Sequence, residues 1–158
     1  MAAGQQVVKD LVPIATHWRE HTSAQTEYDE GKMSAKRAES IWDASKKPGP
    51  AEVARYDRAA SDYRKKSGAC GKVTSTGSDA TTCVKAAAAQ TKIATAGAKV
   101  ASDWATHIKD MKTKQTMSVE GKFDAYMAEW MKLVNRAPAR LAAYDSAVKA
   151  ARKAPTCS

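Results

Sequence analysis

The chain has 158 residues, 43% apolar and 27% charged, enough for one domain with a real core and without the apolar depletion of a disordered chain. Aromatic residues make up only 6%, alanine is abundant, and valine and isoleucine are sparse, so an all-α protein of close-packed helices is expected. Twenty-six Lys and Arg against 17 Asp and Glu leave a net charge of +9, a field that attracts an anionic surface or polymer, and no apolar run reaches the roughly 18 to 20 residues of a membrane span.

Val7, Leu11, Ile14, Trp18, His21, Gln25 and Tyr28 recur at alternating steps of four and three, which predicts a long first helix with one buried stripe. Pro13 lies within it and predicts a bend or a start near Leu11; Gly31 ends it. Ser34 is the expected N-cap of a second helix to about Lys46, with Ala35, Ala38, Ile41 and Trp42 inward. Pro48-Gly49-Pro50 then breaks the chain, and Pro50 suits the first position of a third helix with Val53, Tyr56, Ala60 and Tyr63 on its seam.

The segment from Gly71 to Thr82 is rich in Gly, Ser and Thr and reads as a loop, flanked by Cys70 and Cys83. A Cys70–Cys83 disulfide closing it points to an oxidising compartment and hence to an extracellular or cell-envelope protein. No signal peptide opens the sequence, so on that reading a leader is missing ahead of Met1; Cys157 is left without a partner. A fourth helix is expected from Ser78 or Asp79 to about Lys114, with Ile93, Gly97, Val100, Trp104, His107, Met111 and Lys114 on its seam. Ser118 begins a fifth helix containing Phe123, Tyr126, Met127, Trp130 and Met131, and Pro138 begins a sixth with Leu141, Tyr144 and Val148 inward.

The two halves repeat one another. Trp18 and Trp104, and His21 and His107, are 86 positions apart; Trp42 and Trp130, Pro50 and Pro138, Tyr56 and Tyr144, and Asp57 and Asp145 are 88 apart. The expectation is a single helical domain, a compact bundle of two tandem three-helix units spanning 5–70 and 79–157, joined by a loop at 71–78 and related by an internal pseudo-two-fold.

Trp18, His21, Trp104 and His107 are the candidate ligand-binding residues, because both imidazoles fall on a buried seam three residues after a tryptophan. His107 and Met111 are one turn apart and share a helix face, so His21, His107 and Met111 are also a candidate metal set: imidazole plus thioether suits copper, and an axial His or Met suits haem. Met127, Met131 and His17 are further donors nearby. The competing reading makes the methionines core filler and the histidines hydrogen-bonded structural groups. Trp42 and Trp130 read as packing anchors.

Catalysis finds little support. The residue three before each of His21 and His107 is tryptophan where a di-iron bundle needs glutamate, and no nucleophile elbow, phosphate loop or H-E-x-x-H occurs. The basic residues at Lys46-Lys47, Arg64-Lys65-Lys66, Lys109 to Lys114 and Arg152-Lys153 fall at expected helix C-termini and carry no interleaved aromatics, which disfavours nucleic acid. The leading expectation is a non-enzymatic exported binding protein; a copper or haem protein and a basic nucleic-acid-associated protein are the alternatives.

Overall fold

A computed structural model describes residues 2–70, 78–114 and 122–154, with side chains at 3–67, 80–112 and 124–154, and the described residues form five α-helices and no strand. The protein is all-helical.

Helix α1 (Ala2–Asp29) buries Val7, Leu11, Ile14, Trp18, His21 and Gln25, the stripe that the spacing predicts. Its last seam residue, Tyr28, is 42% exposed. Pro13 interrupts no part of that stripe, because Leu11 and Ile14 on either side are wholly buried and their packing holds the helix together. Gly31 terminates α1 with φ +69°, a left-handed conformation that a Cβ would strain. There the Gly31 N–H donates to the Tyr28 carbonyl and the Lys32 N–H to that of Glu27. Ser34 caps α2 (Ala35–Lys46), its side chain accepting from the Arg37 N–H. Helix α3 (Gly49–Cys70) starts one residue before the expected Pro50, which sits in its first turn where a missing N–H costs nothing.

Two expectations are corrected. Helix α4 (Ser78–Lys114) has the bounds expected of it, so the loop read from composition as far as Thr82 overlapped its first turn; 71–77 lie outside the described residues. The separate fifth and sixth helices are one, α5 (Lys122–Ala151), running unbroken through Pro138, so the second half does not repeat the three-helix pattern of the first. Pro138 is exposed, while Trp130, Leu133, Val134, Ala137, Leu141 and Tyr144 keep a buried stripe on both sides of it. That stripe offsets the roughly 3 kcal/mol that a proline costs inside a helix. The expected start at Ser118 lies outside the described residues.

Helices α1 and α4 run parallel and in register. Trp18 packs on Trp104 with ring centroids 5.6 Å apart, His21 meets His107, Gly4 lies against Gln90, and the Leu11 side chain fills the notch left by Gly97. Every one of those pairs is 86 positions apart, the separation shown by the histidines. A Cβ at Gly97 would fall 2.9 Å from Leu11 Cδ2, so glycine is what permits this close approach.

Helices α3 and α5 flank the central pair and run antiparallel to it. His17–Glu52 and the approach of Gly4 to Tyr63 fix α3 beside α1, and Asp103–Arg136 with His107–Trp130 fix α5 beside α4. Short α2 folds back over the C-terminal half of α1, where Tyr28 meets Trp42 edge to face. Among the described residues no helix is long and apolar enough to cross a membrane.

Candidate functional site

Four helices converge where α1 and α4 approach their C-terminal ends, and between them opens a cavity of about 600 Å³. Its floor is His21 from α1 and His107 from α4, 3% and 2% exposed, with Nε2 atoms 2.9 Å apart. Trp18, His21, Trp104 and His107, the four residues singled out by the repeat, are brought together: the His21 ring lies 5.3 Å from Trp104 and the His107 ring 5.8 Å from Trp18. Of these four, only the imidazoles reach the cavity; the two indoles lie beneath them, wholly buried. Neither Trp18 Nε1 nor Trp104 Nε1 has a hydrogen-bond partner among the described residues.

The protons on the histidine pair can be placed. Ser45 Oγ lies 2.8 Å from the Ile41 carbonyl and 3.2 Å from that of Trp42, neither of which can donate, so its one proton points to them. Ser45 must therefore accept from His21 Nδ1, 2.8 Å away. A neutral His21 protonated at Nδ1 offers a lone pair at Nε2, and His107 Nε2–H is the donor between the rings. Neutrality follows from burial, which with the charge of Lys46 lowers the His21 pKa to about 3 against the raising influence of Asp43.

This geometry does not suit a metal held by both imidazoles. Two metal–nitrogen bonds of roughly 2.0 Å hold tetrahedral ligands about 3.3 Å apart and linear ones about 4 Å apart, and both His21 nitrogens already have partners. Met111, Met127 and Met131 all pack against the core, the first two also lining the cavity, and His17 turns to α3, where Nδ1 lies 3.0 Å from Glu52 Oε2. Among the described residues no three His, Cys, Asp or Glu side chains gather as a metal site.

The walls are aromatic. Trp130 stacks on His107 with centroids 3.9 Å apart at 25°, and its Nε1–H donates to Gln25 Oε1. Trp42 donates to the His21 carbonyl, and Tyr28 and Tyr126 complete the aromatic lining. Burial and the neighbouring Asp110 raise the Tyr126 pKa, so its hydroxyl stays protonated. Trp130, 4% exposed, packs in the hydrophobic core as the sequence reading has it, and with Trp42 it also walls the cavity; their 88-residue separation marked them as a pair without showing what they enclose. Ser45 and the rim residues Glu39, Asp43 and Lys46 carried no signal in the sequence, because α2 sets them against α1 only in the folded chain.

The repeated tyrosine–aspartate pairs lie elsewhere. Tyr56 and Tyr144 are buried, and Asp145 forms a two-oxygen pair with Arg19, both contacts 2.9 Å. Cys83 is disulfide-bonded; the side chains of its expected partner Cys70 and of Cys157 lie outside the described residues. No family model, curated protein or solved structure matches the chain.

Proposed function

We propose that this protein is a non-enzymatic, exported helical bundle that takes a small ligand into the cavity above His21 and His107. The observation that carries the reading is a roughly 600 Å³ opening whose floor is a buried, mutually hydrogen-bonded imidazole pair and whose walls are Trp42, Trp130, Tyr28 and Tyr126. Such a surface combines aromatic and thioether side chains with convergent polar groups, a make-up that suits an amphipathic ligand. The contact of Ser45 with His21 is not a nucleophile and its base: Ser45 is 1% exposed and its proton goes to carbonyl oxygens.

The cavity also gives the duplication a physical sense. We read the chain as one ancestral segment written twice, with a pseudo-two-fold running between α1 and α4. The contacts at a constant separation of 86 support it, and so does the lining, which pairs His21 with His107, Gln25 with Met111, Trp42 with Trp130 and Glu39 with Met127. An oxidising setting outside the cytoplasm is part of the same proposal, supported by the disulfide at Cys83. The net charge of +9 supports an anionic surface or polymer as its surroundings.

Nuclear magnetic resonance of the full chain with mixtures of small amphiphiles tests the proposal. Shifts confined to the Trp42 and Trp130 indoles and the two imidazoles support it; shifts scattered over the surface would remove the cavity from consideration. Copper or haem binding requires the two rings to part first, and stoichiometric uptake of Cu(I) or haem that perturbs His107 and Met111 is the result that would favour it. Salt-sensitive binding of DNA away from the cavity would favour the nucleic-acid alternative.

A further inference from the structure

The cavity is built from paired positions, yet its two sides have become chemically opposite. Every charged group in the lining comes from the first half of the chain, namely Glu39, Asp43 and Lys46; both thioethers, Met111 and Met127, come from the second. Glu39 and Met127 are 88 positions apart and Gln25 and Met111 86, so at two matched positions of the lining a polar side chain in one half answers to a thioether in the other.

The charges are not equally available. Lys46 is held by Asp43 at 3.0 Å, which spends each on the other. Glu39 forms no ion pair among the described residues and remains the uncompensated carboxylate at the mouth. Gln25 Oε1 accepts from Trp130 Nε1–H, and Gln25 Nε2 donates to the Asp29 carboxylate, so the amide is oriented by its neighbours. The indole and phenol faces of Trp42 and Tyr28, beside Glu39, attract positive charge through their ring quadrupoles. His21, held neutral by burial at the cavity floor, does not oppose a cation above it.

We infer that the ligand is an amphipathic organic cation, with its amine or ammonium end at Glu39, Trp42 and Tyr28 and its apolar, preferably planar body on Trp130, Met111 and Met127. The inference rests on the binding role proposed above and adds polarity and orientation to it. On a chain of net charge +9 the cavity mouth is a locally acidic exception, which selects against the anions that the rest of the surface attracts.

Three probes with one body and different tails decide the matter: phenethylamine, 2-phenylethanol and phenylacetate, titrated into the full chain with tryptophan fluorescence as readout. The amine is expected to bind roughly tenfold tighter than the alcohol, and the carboxylate more weakly than either. Glu39→Gln, at an exposed position, should abolish the preference for the amine and leave alcohol binding unchanged, while Met127→Ala should weaken all three, with circular dichroism confirming that both variants fold. Equal affinities, or a preference for phenylacetate, with Met127→Ala still weakening binding, would overturn the cation assignment and leave the cavity standing. No saturable binding of any probe at millimolar concentration, or binding that neither variant alters, would overturn both.

Discussion

Nε2 of His21 and Nε2 of His107 share one hydrogen at 2.9 Å, and a serine on a third helix determines which ring supplies it. Because Ser45 gives its proton to a carbonyl, His21 is protonated at Nδ1 and His107 at Nε2. Ser45→Ala removes the acceptor for a buried N–H and should cost about 1–3 kcal/mol in urea unfolding. Imidazole ¹⁵N shifts report the tautomers directly, and a His21 protonated at Nε2 in the parent protein would contradict the assignment.

Acid should destabilise the protein through His21. Its folded pKa lies near 3 against an ordinary 6.5, so the unfolded chain binds a proton that the folded chain refuses. The stability carried by the neutral ring is complete above pH 6.5 and is lost progressively as the pH falls toward 3, at about 1.4 kcal/mol per pH unit. Carboxylates titrate mostly below about pH 5, so the window from 6.5 to 5 isolates this group from them. Urea midpoints should fall across that window in the parent and stay flatter in His21→Gln; equal slopes in the two proteins would sink the idea.

Asp103 is wholly buried and receives Arg136 and Arg140 of α5 on one oxygen, while those arginine side chains are 45% and 28% exposed. The burial is one-sided, so the mutational response should be too. Replacing both arginines by alanine strands a carboxylate in the core and should cost about 3–5 kcal/mol, whereas Asp103→Asn leaves two arginines that water can reach and should cost less. Chemical denaturation of the three proteins checks the order.

Gly97→Ala should destabilise despite alanine's better helix propensity, which is worth only about 1 kcal/mol, because the new methyl enters space filled by Leu11. Leu11→Ala alone opens a cavity at a wholly buried site and should cost about 2–5 kcal/mol. The double variant should be markedly more stable than the sum of the two losses, since the methyl then occupies the vacated room. Additive losses would show that the two residues do not meet.

Much of the architecture was legible in the spacing of apolar residues along each helix. The seam from Val7 to Gln25, the Ser34 cap and the Gly31 stop are local features, governed by which side chains share a face and by backbone torsion. Pairing His21 with His107 was legible too, through the 86-position separation that the histidines share with Trp18 and Trp104. The continuity of α5 was not, because the cost of Pro138 is local while the packing that outweighs it, from Trp130 to Tyr144, is tertiary. Nor could spacing reveal Ser45 beside His21 or Glu52 beside His17, since each comes from another helix whose rotation about its own axis depends on the rest of the bundle.

The parallel arrangement of α1 and α4 also bears on how the protein is made. At a synthesis rate of 5–20 residues per second, about 4–17 s separate the appearance of Trp18 on the ribosome from that of Trp104. Through that interval α1 has only α2 and α3, which follow one another back along it, to shield its most apolar stripe. The nascent first half is therefore the stage at which a chaperone, or a second unfinished chain, finds the greatest exposed area, and the molecule becomes safe from aggregation only when its second half arrives to close the seam.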